Sequence, residues 1–509
     1  MRLSSCTVSL TIINMRIMKV CSTLLIGIVI GKIVVAQDDL AVVNNGLTKN
    51  IIAGAGTELK TYNIYQRMQT HHVNGVSIAI INNGAITALK TYGIKDAGNP
   101  ADSVTTQTLF QLASIGKVIT AMAALHLVRE NKIGLDQDVN EKLTSWKIPG
   151  NEMTAAKKVT LRTLLSHSAG FTDDYGFEGY LPHAELPTTA QILTGVKPAN
   201  NRKKLVSQTI PGTVEKYSGG GYIIIQQLIE DLTHQSFSDY VDSIIFRRLQ
   251  MNNTTFDYYP DENGRPIARG HDSDGKIDRK RKYHVYPERA AAGPWTTPQD
   301  VALLIIELQK EVSGVSDLIL NASLANEMMK PQINSMGLGP HLAGSEKPLA
   351  FWHSGNTAGY VCLAYGLLQQ GQGAVIMTNS DQGEWLSLEI MRSIANAYHW
   401  PVMQTKMLKT LTAEECATYA GTYEVKNNQV EIIQNSDPGI TFKNATQSFK
   451  LLPLADGQFT ISGSEDRFRL VFEKDSNGAI TGFRIMQNGA VVNAVFEKQN
   501  AKRLTQIQL

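Results

Sequence analysis

The separation of its strand signals most constrains what this chain can fold into. VSIAIIN (76–82), the dipeptide Asn83-Gly84 and AITALKTYGI (85–94) form a strand–turn–strand unit, because Asn-Gly supplies the positive φ angles of a two-residue hairpin. The next comparable runs, GYVCLAYGLL (359–368) and GAVIMTNS (373–380), lie far downstream, and a helix-like stretch follows over 384–399. Connections within each pair are too short for parallel crossovers, which predicts a mostly antiparallel sheet. Such a sheet joins segments distant in sequence, so the residues between them form a block inserted against it. The block opens with a long apolar-periodic helix from Ser114 to about Glu130, with Asn131 and Gly134 beyond its end. Its remainder, 135–340, is rich in Pro, Gly and Asp, with short helical pieces at 221–235 and 300–312. The expected fold class is α+β over 37–400, an antiparallel sheet flanked by helices with a helical insertion.

Both ends of the chain read differently. Pro401 to Leu411 is a linker by composition, and from Thr412 to Leu509 the pattern changes to short alternating segments such as QVEII, ITFKN, FRLVFE and VVNAVFE. Turn residues separate them, which predicts a small all-β barrel or sandwich. At the other end Arg16 and Lys19 precede the uncharged apolar run Val20 to Gly31, and Val34-Val35-Ala36 places small residues before Gln37. This is the three-part layout of a secretory signal over 1–36, with cleavage after Ala36. The 12-residue run is shorter than the roughly 20 residues a spanning helix needs, and Lys32 interrupts any extension. The expected location is periplasmic or secreted, with membrane association only if the signal is retained.

Composition narrows the function. The 509 residues hold 48 Lys+Arg against 46 Asp+Glu, so no basic field exists to hold a polyanion, and a nucleic-acid partner is excluded. At 43 % hydrophobic the chain has ample core material. Cysteines at 6, 21, 362 and 416 give neither metal-ligand spacing nor a disulfide framework, leaving Cys362–Cys416 as the one pairing to consider. H-E-x-x-H is absent, and so is G-x-S-x-G, which argues against a zinc hydrolase and a conventional α/β-hydrolase. No metal or cofactor is expected.

Ser114-Ile115-Gly116-Lys117 stands where the long helix begins. Residues three apart share a helix face, so the Lys117 amine would lie beside the Ser114 hydroxyl. A serine hydroxyl needs such a neighbour to act as a nucleophile, and a helix N-terminus offers N–H donors where an oxyanion would form. Taken alone, Ser114 reads as an N-cap serine. The spacing also recurs at Ser273-Asp274-Gly275-Lys276, in a loop without helical context. What distinguishes the first match is its company: TLRTLLSHSAGF (160–171), PGTVEKYSGGGY (211–222) and WHSGNTAGY (352–360).

SIGK at 114–117, LLSHSAGF at 164–171, YSGGGY at 217–222 and HSGN at 353–356 resemble, in order, the landmarks of the serine β-lactamase-related family. That family includes class C β-lactamases, D-Ala-D-Ala carboxypeptidases, D-aminopeptidases and related esterases. The resemblance covers roughly residues 55–400 and implies a β-lactamase/transpeptidase-like fold, with the 412–509 domain similar to lipocalin-like modules appended to such proteins. It implies Ser114 as the acylated nucleophile, Lys117 as the group that tunes protonation, and Tyr217 as general base. The N–H groups of Ser114 and Asn356 would form the oxyanion hole on the HSGN strand, with Ser354 and Gly355 beside the substrate. His353 stands where lactamases carry Lys and would orient nearby carboxylates or hydroxyls, with activity sensitive to pH near 6–7. Gly219 replaces the Asn of the family's Tyr-x-Asn, removing an amide that would bond substrate and Lys117. His167 is expected to bond within its own loop. The resulting expectation is an exported serine hydrolase acting on a small-molecule or peptide substrate, a small amide or ester such as a D-amino-acid peptide, with peptidoglycan as one source. A β-lactamase and a catalytically silent penicillin-binding or peptidoglycan-sensing protein are the alternatives.

Overall fold

The computed structural model describes residues 38–499 apart from 50, 55–57, 172–177, 202, 278–282, 345–347, 426–427, 438, 463–467, 488–489 and 492–494; the signal-like segment 1–36 lies outside the described residues. The central sheet has six strands: β1 (Gly75–Asn82), β2 (Ala85–Gly93), β3 (His341–Ala343), β4 (Ala350–Thr357), β5 (Tyr360–Leu367) and β6 (Gly373–Thr378). Their order is β2-β1-β6-β5-β4-β3, and every pairing is antiparallel, so the first hairpin joins the later strands through β1 and β6.

β1 is buried along nearly its whole length because both faces are covered. Side chains alternate across a strand, so Ala79 and Ile81 enter one core while Val76, Ile78 and Ile80 enter another. The first core also takes helices α1 (Gly116–Arg129), α2 (Gly219–Thr233) and α3 (Pro298–Val312). The second is closed by α4 (Gly383–Ala397) through Leu386, Ile390 and Ile394, with Trp400 after it. α1 is buried on all sides from Gly116 to Leu127, as expected of a central helix whose apolar residues go round its circumference. α3 starts where Thr297 accepts the Asp300 N–H and Pro298 takes the first turn. Among the described residues no helix is long and apolar enough to cross a membrane.

A nine-stranded antiparallel sheet from Gly421–Val425 to Phe496–Lys498 forms the C-terminal barrel. Its interior is filled by rings, among them Tyr423, Phe442, Phe459, Phe483 and Phe496. The all-β expectation from Thr412 missed one element: a helix over Ala413–Tyr419 begins with a capping box between Thr412 and Glu415, a spacing visible in the sequence. Cys416 is buried in the barrel core and Cys362 in the main core, and both are free thiols, so the considered bridge is absent. Within 401–411, Lys406–Met407 pairs in parallel with Ile52–Ala53. The same stretch bonds the barrel, with the Lys409 N–H on the Pro453 carbonyl and the Ala455 N–H on that of Met407.

Candidate active site

Ser114 sits on a 3-10 turn, Ala113–Ile115, that leads into α1. It caps neither element through its side chain. The residue before it, Ala113, has φ +55°, a left-handed conformation that costs an alanine about 1–2 kcal/mol and persists only where surroundings impose it. Lys117 is fully buried one turn on, and its Nζ donates to Ser114 Oγ at 2.9 Å and to the Ala291 carbonyl at 2.8 Å. The second bond depends on two glycines. A Cβ on Gly116 would lie 2.4 Å from Gly293 Cα, so only glycine lets the 289–293 segment approach α1 closely. Thr120 Oγ1 fastens the same segment by donating to the Ala290 carbonyl at 2.8 Å.

Tyr217 comes from the loop before α2, where Ser218 caps the helix by accepting the Gly221 N–H at 3.0 Å. The positive end of α2 therefore begins two residues after Tyr217. Lys117 Nζ lies 5.0 Å from the centroid of the Tyr217 ring, which is 38 % exposed. Among the described residues its hydroxyl has no hydrogen bond. His167 stacks on that ring with centroids 4.2 Å apart. Its Nδ1 accepts from the Ser218 N–H at 3.0 Å, not from its own loop as the sequence led us to expect.

β4 forms the opposite wall. β3 pairs with it only as far as Trp352, so from His353 onward one edge of β4 is unpaired by any described strand. The β4–β5 hairpin pairs Thr357 with Tyr360 across two turn residues, which directs alternate residues 353, 355 and 357 to bond β5. Ser354 and Asn356 thus turn their backbone groups to the open edge, and both side chains are exposed. Gly355 is buried against the Ser114 turn: a Cβ there would meet the Leu112 oxygen at 2.4 Å and the Ser114 nitrogen at 3.2 Å. This contact sets the Ser114 turn against the strand that carries Asn356.

His353 corrects an expectation. Its ring is 3 % exposed and adjoins a small apolar cavity walled by Ile115, Val118, Leu304, Phe351 and Trp352. Burial, aided by His341 and Lys117, pushes its pKa well below the usual histidine range, so it does not titrate near pH 6–7. Nδ1 lies 2.5 Å from the Ser354 carbonyl, which can only accept, so Nδ1 carries the hydrogen. Among the described residues the remaining Nε2 is a buried lone pair without a partner. A neutral ring in this tautomer can accept from a hydroxyl but cannot hold a carboxylate. His341 is likewise pushed down by burial, to about 4.

The family model described as Beta-lactamase matches residues 63–398, well over half of the chain. The chain belongs to the Beta-lactamase family. Among curated relatives, Protein flp of Staphylococcus aureus (strain N315) is 27 % identical over 197 residues, a match covering 37 % of this chain and 36 % of that protein, so the chain spans little more than a third of that relative. Among solved structures, the octameric penicillin-binding protein homologue from Pyrococcus abyssi aligns with a TM-score of 0.56 at 20 % identity, covering 86 % of this chain and 97 % of its own. The D-amino acid amidase from Ochrobactrum anthropi SV3, complexed with L-phenylalanine amide, aligns at 0.52 and 22 % identity, covering 66 % and 97 %. Those two likenesses concern the fold.

In this member of the Beta-lactamase family the structure brings Ser114, Lys117, Tyr217, His353 and Gly355 together: Lys117 meets Ser114 and the Tyr217 ring, that ring lies 6.3 Å from the His353 ring, and Gly355 packs on the Ser114 turn with Asn356 next along the strand. Gly219 is the buried first residue of α2, with no side chain to offer. Among the described residues no group of three or more His, Cys, Asp or Glu is placed to hold a metal ion. The arrangement can deliver a hydroxyl to a carbonyl carbon, an amine and a phenol to handle its proton, and two backbone donors to the developing oxyanion. His167 is the residue whose contacts the sequence misjudged; the only signal was its place inside a landmark stretch.

Proposed function

We propose that this protein is a serine hydrolase that works through an acyl-enzyme on a small, uncharged amide or ester. The bond of Lys117 Nζ to Ser114 Oγ at 2.9 Å, made by a lysine with no exposed surface, carries the reading. Ser114 Oγ attacks the carbonyl carbon as its proton passes, across the Lys117 amine, to the phenolate oxygen of Tyr217, which becomes the phenol. The tetrahedral oxyanion rests on the N–H groups of Ser114 and Asn356. Tyr217 returns the proton to the departing amine or alkoxide, and water attacking the Ser114 ester repeats the sequence to release the acid. The neutral His353 supports substrates lacking a carboxylate at that position, such as a D-amino-acid amide or peptide with a free amino end, or a short-chain ester. The fold likeness to a D-amino acid amidase fits this preference. Export to the periplasm or beyond, directed by residues 1–36, is part of the proposal, with peptidoglycan peptides as one substrate source.

A second reading has one observation in its favour. Gly219 supplies no amide to bind a β-lactam or peptide carbonyl, which favours a protein that is acylated and turns over slowly. A fluorophosphonate probe followed by peptide mapping tests the primary reading: we expect Ser114 to be labelled and Ser114→Ala to be inert. A panel of D-amino-acid amides, p-nitrophenyl acetate and nitrocefin then orders the substrates. Rapid nitrocefin turnover without ester or amide cleavage would reverse the assignment, and an unlabelled folded protein would end it.

A further inference from the structure

His167 stands outside the groups that the proposed acyl transfer uses, yet its contacts converge on Tyr217. Its carbonyl accepts the Lys216 N–H at 2.7 Å and its Nδ1 accepts the Ser218 N–H at 3.0 Å, so the residues on both sides of Tyr217 are tied to it. Its ring lies against the Tyr217 ring at 4.2 Å and 26°. His167 is itself immobilised: it is 1 % exposed, has φ +54°, and lies 5.1 Å from the Tyr222 ring, whose hydroxyl is bonded to the Leu165 carbonyl. The tautomer is fixed by chemistry. A backbone N–H can only donate, so Nδ1 presents its lone pair and the hydrogen sits on Nε2, which is buried and has no partner among the described residues. Burial beside Lys117 holds the ring neutral, and a second proton would set two donors face to face at Ser218.

We propose that His167 is the positioning residue of Tyr217, holding its backbone from both sides and its ring from one face so that the phenol stays beside the Lys117 amine. The functional meaning of this clamp rests on the acyl-transfer reading above; its geometry does not.

The test uses the full chain with 3-fluorotyrosine at position 217, and compares wild type with His167→Phe and His167→Asn. Phe keeps a stacked ring but cannot accept the Ser218 N–H, whereas Asn Oδ1 can take the place of Nδ1. We expect kcat for p-nitrophenyl acetate to fall about 100-fold in His167→Phe, the loss that a displacement of about 1 Å brings, with KM little changed. His167→Asn should recover at least about tenfold of that loss. The 19F resonance should be single and narrow in wild type, broadened in His167→Phe and narrower again in His167→Asn. Should His167→Phe fail to fold, the comparison of His167→Asn with His167→Ala replaces it. Wild-type kcat together with an unaltered resonance in the Phe variant overturns the role, and so does an Asn variant no better than Phe. If fluorophosphonate leaves wild-type Ser114 unlabelled, the hydrolase reading fails while the 19F comparison still decides the positioning.

Discussion

Gly355→Ala probes the contact on which the proposed oxyanion geometry depends. The new methyl would lie 2.4 Å from the Leu112 oxygen and 2.9 Å from the Ala113 Cβ. Ordinary contact begins near 3.5 Å, so about 1 Å of separation must be created. Neither obstacle can rotate aside. Leu112 offers a backbone carbonyl whose residue is tied by its N–H to the Pro294 carbonyl at 3.0 Å, and Ala113 is already held at φ +55°. The strand must therefore move from the nucleophile's turn, lengthening the Asn356 N–H contact to a bound oxyanion. Loss of one such donor costs about 10²–10³ in kcat, and overpacking adds about 1–3 kcal/mol of destabilisation. We expect esterase turnover and the rate of Ser114 labelling to fall together by about 100-fold, with a melting temperature only a few degrees lower. Gly150→Ala is the control, because a Cβ there meets nothing within 4 Å and its backbone angle is ordinary. A Gly355→Ala enzyme within about threefold of wild type in both assays would refute the reasoning.

Three further outcomes are expected. Lys117→Met removes the donor to Ser114 and Ala291, so fluorophosphonate labelling should slow by about 10²–10⁴-fold, and the orphaned acceptors should cost about 1–3 kcal/mol in urea denaturation. His353 is kept neutral by burial, so pH–rate profiles of wild type and His353→Gln should have the same shape between about pH 5.5 and 7.5; an inflection present only in wild type would contradict its buried state. Glu311 receives the Ile319 and Leu320 N–H groups on one oxygen, and burial pushes its carboxyl from 4.5 up to about 7. The unfolded chain then releases that proton at lower pH than the folded one, so Glu311 costs stability as pH rises through this window. Glu311→Gln should gain on wild type by about 1–3 kcal/mol between pH 4.5 and 7.5, measured as denaturation free energy.

Local signals reached the sheet and the pairing of Ser114 with Lys117 because both rest on short-range rules. Asn83 with φ +51° and Gly84 with φ +71° turn the first hairpin as an Asn-Gly pair should, and Ser114 meets Lys117 at helical spacing. The recurrence at 273–276 shows what spacing alone is worth: Lys276 pairs there with Asp274 at 3.1 Å on an exposed turn folded round Asp272. What escaped notice depends on burial by distant segments. His353 looked titratable because an unperturbed imidazole titrates near pH 6–7, while α1 and α3, through Val118 and Leu304, close over it. His167 could not be linked to Ser218 without knowing that the loop before α2 lies across it. The helix at Ala413–Tyr419 was legible in Thr412 and Glu415 but was outweighed by the alternating segments after it.

The parallel pairing of Ile52–Ala53 with Lys406–Met407 has a practical corollary. Shearing the polypeptide at residue 400, where composition alone would place the seam, strands an N-terminal segment with its ladder bonds unmet. Excising the barrel by itself does the reverse, stripping the Ala455 N–H of its carbonyl at Met407. The stretch around Lys406 thus belongs to both halves at once, a shared rivet whose loss each half would register as fraying.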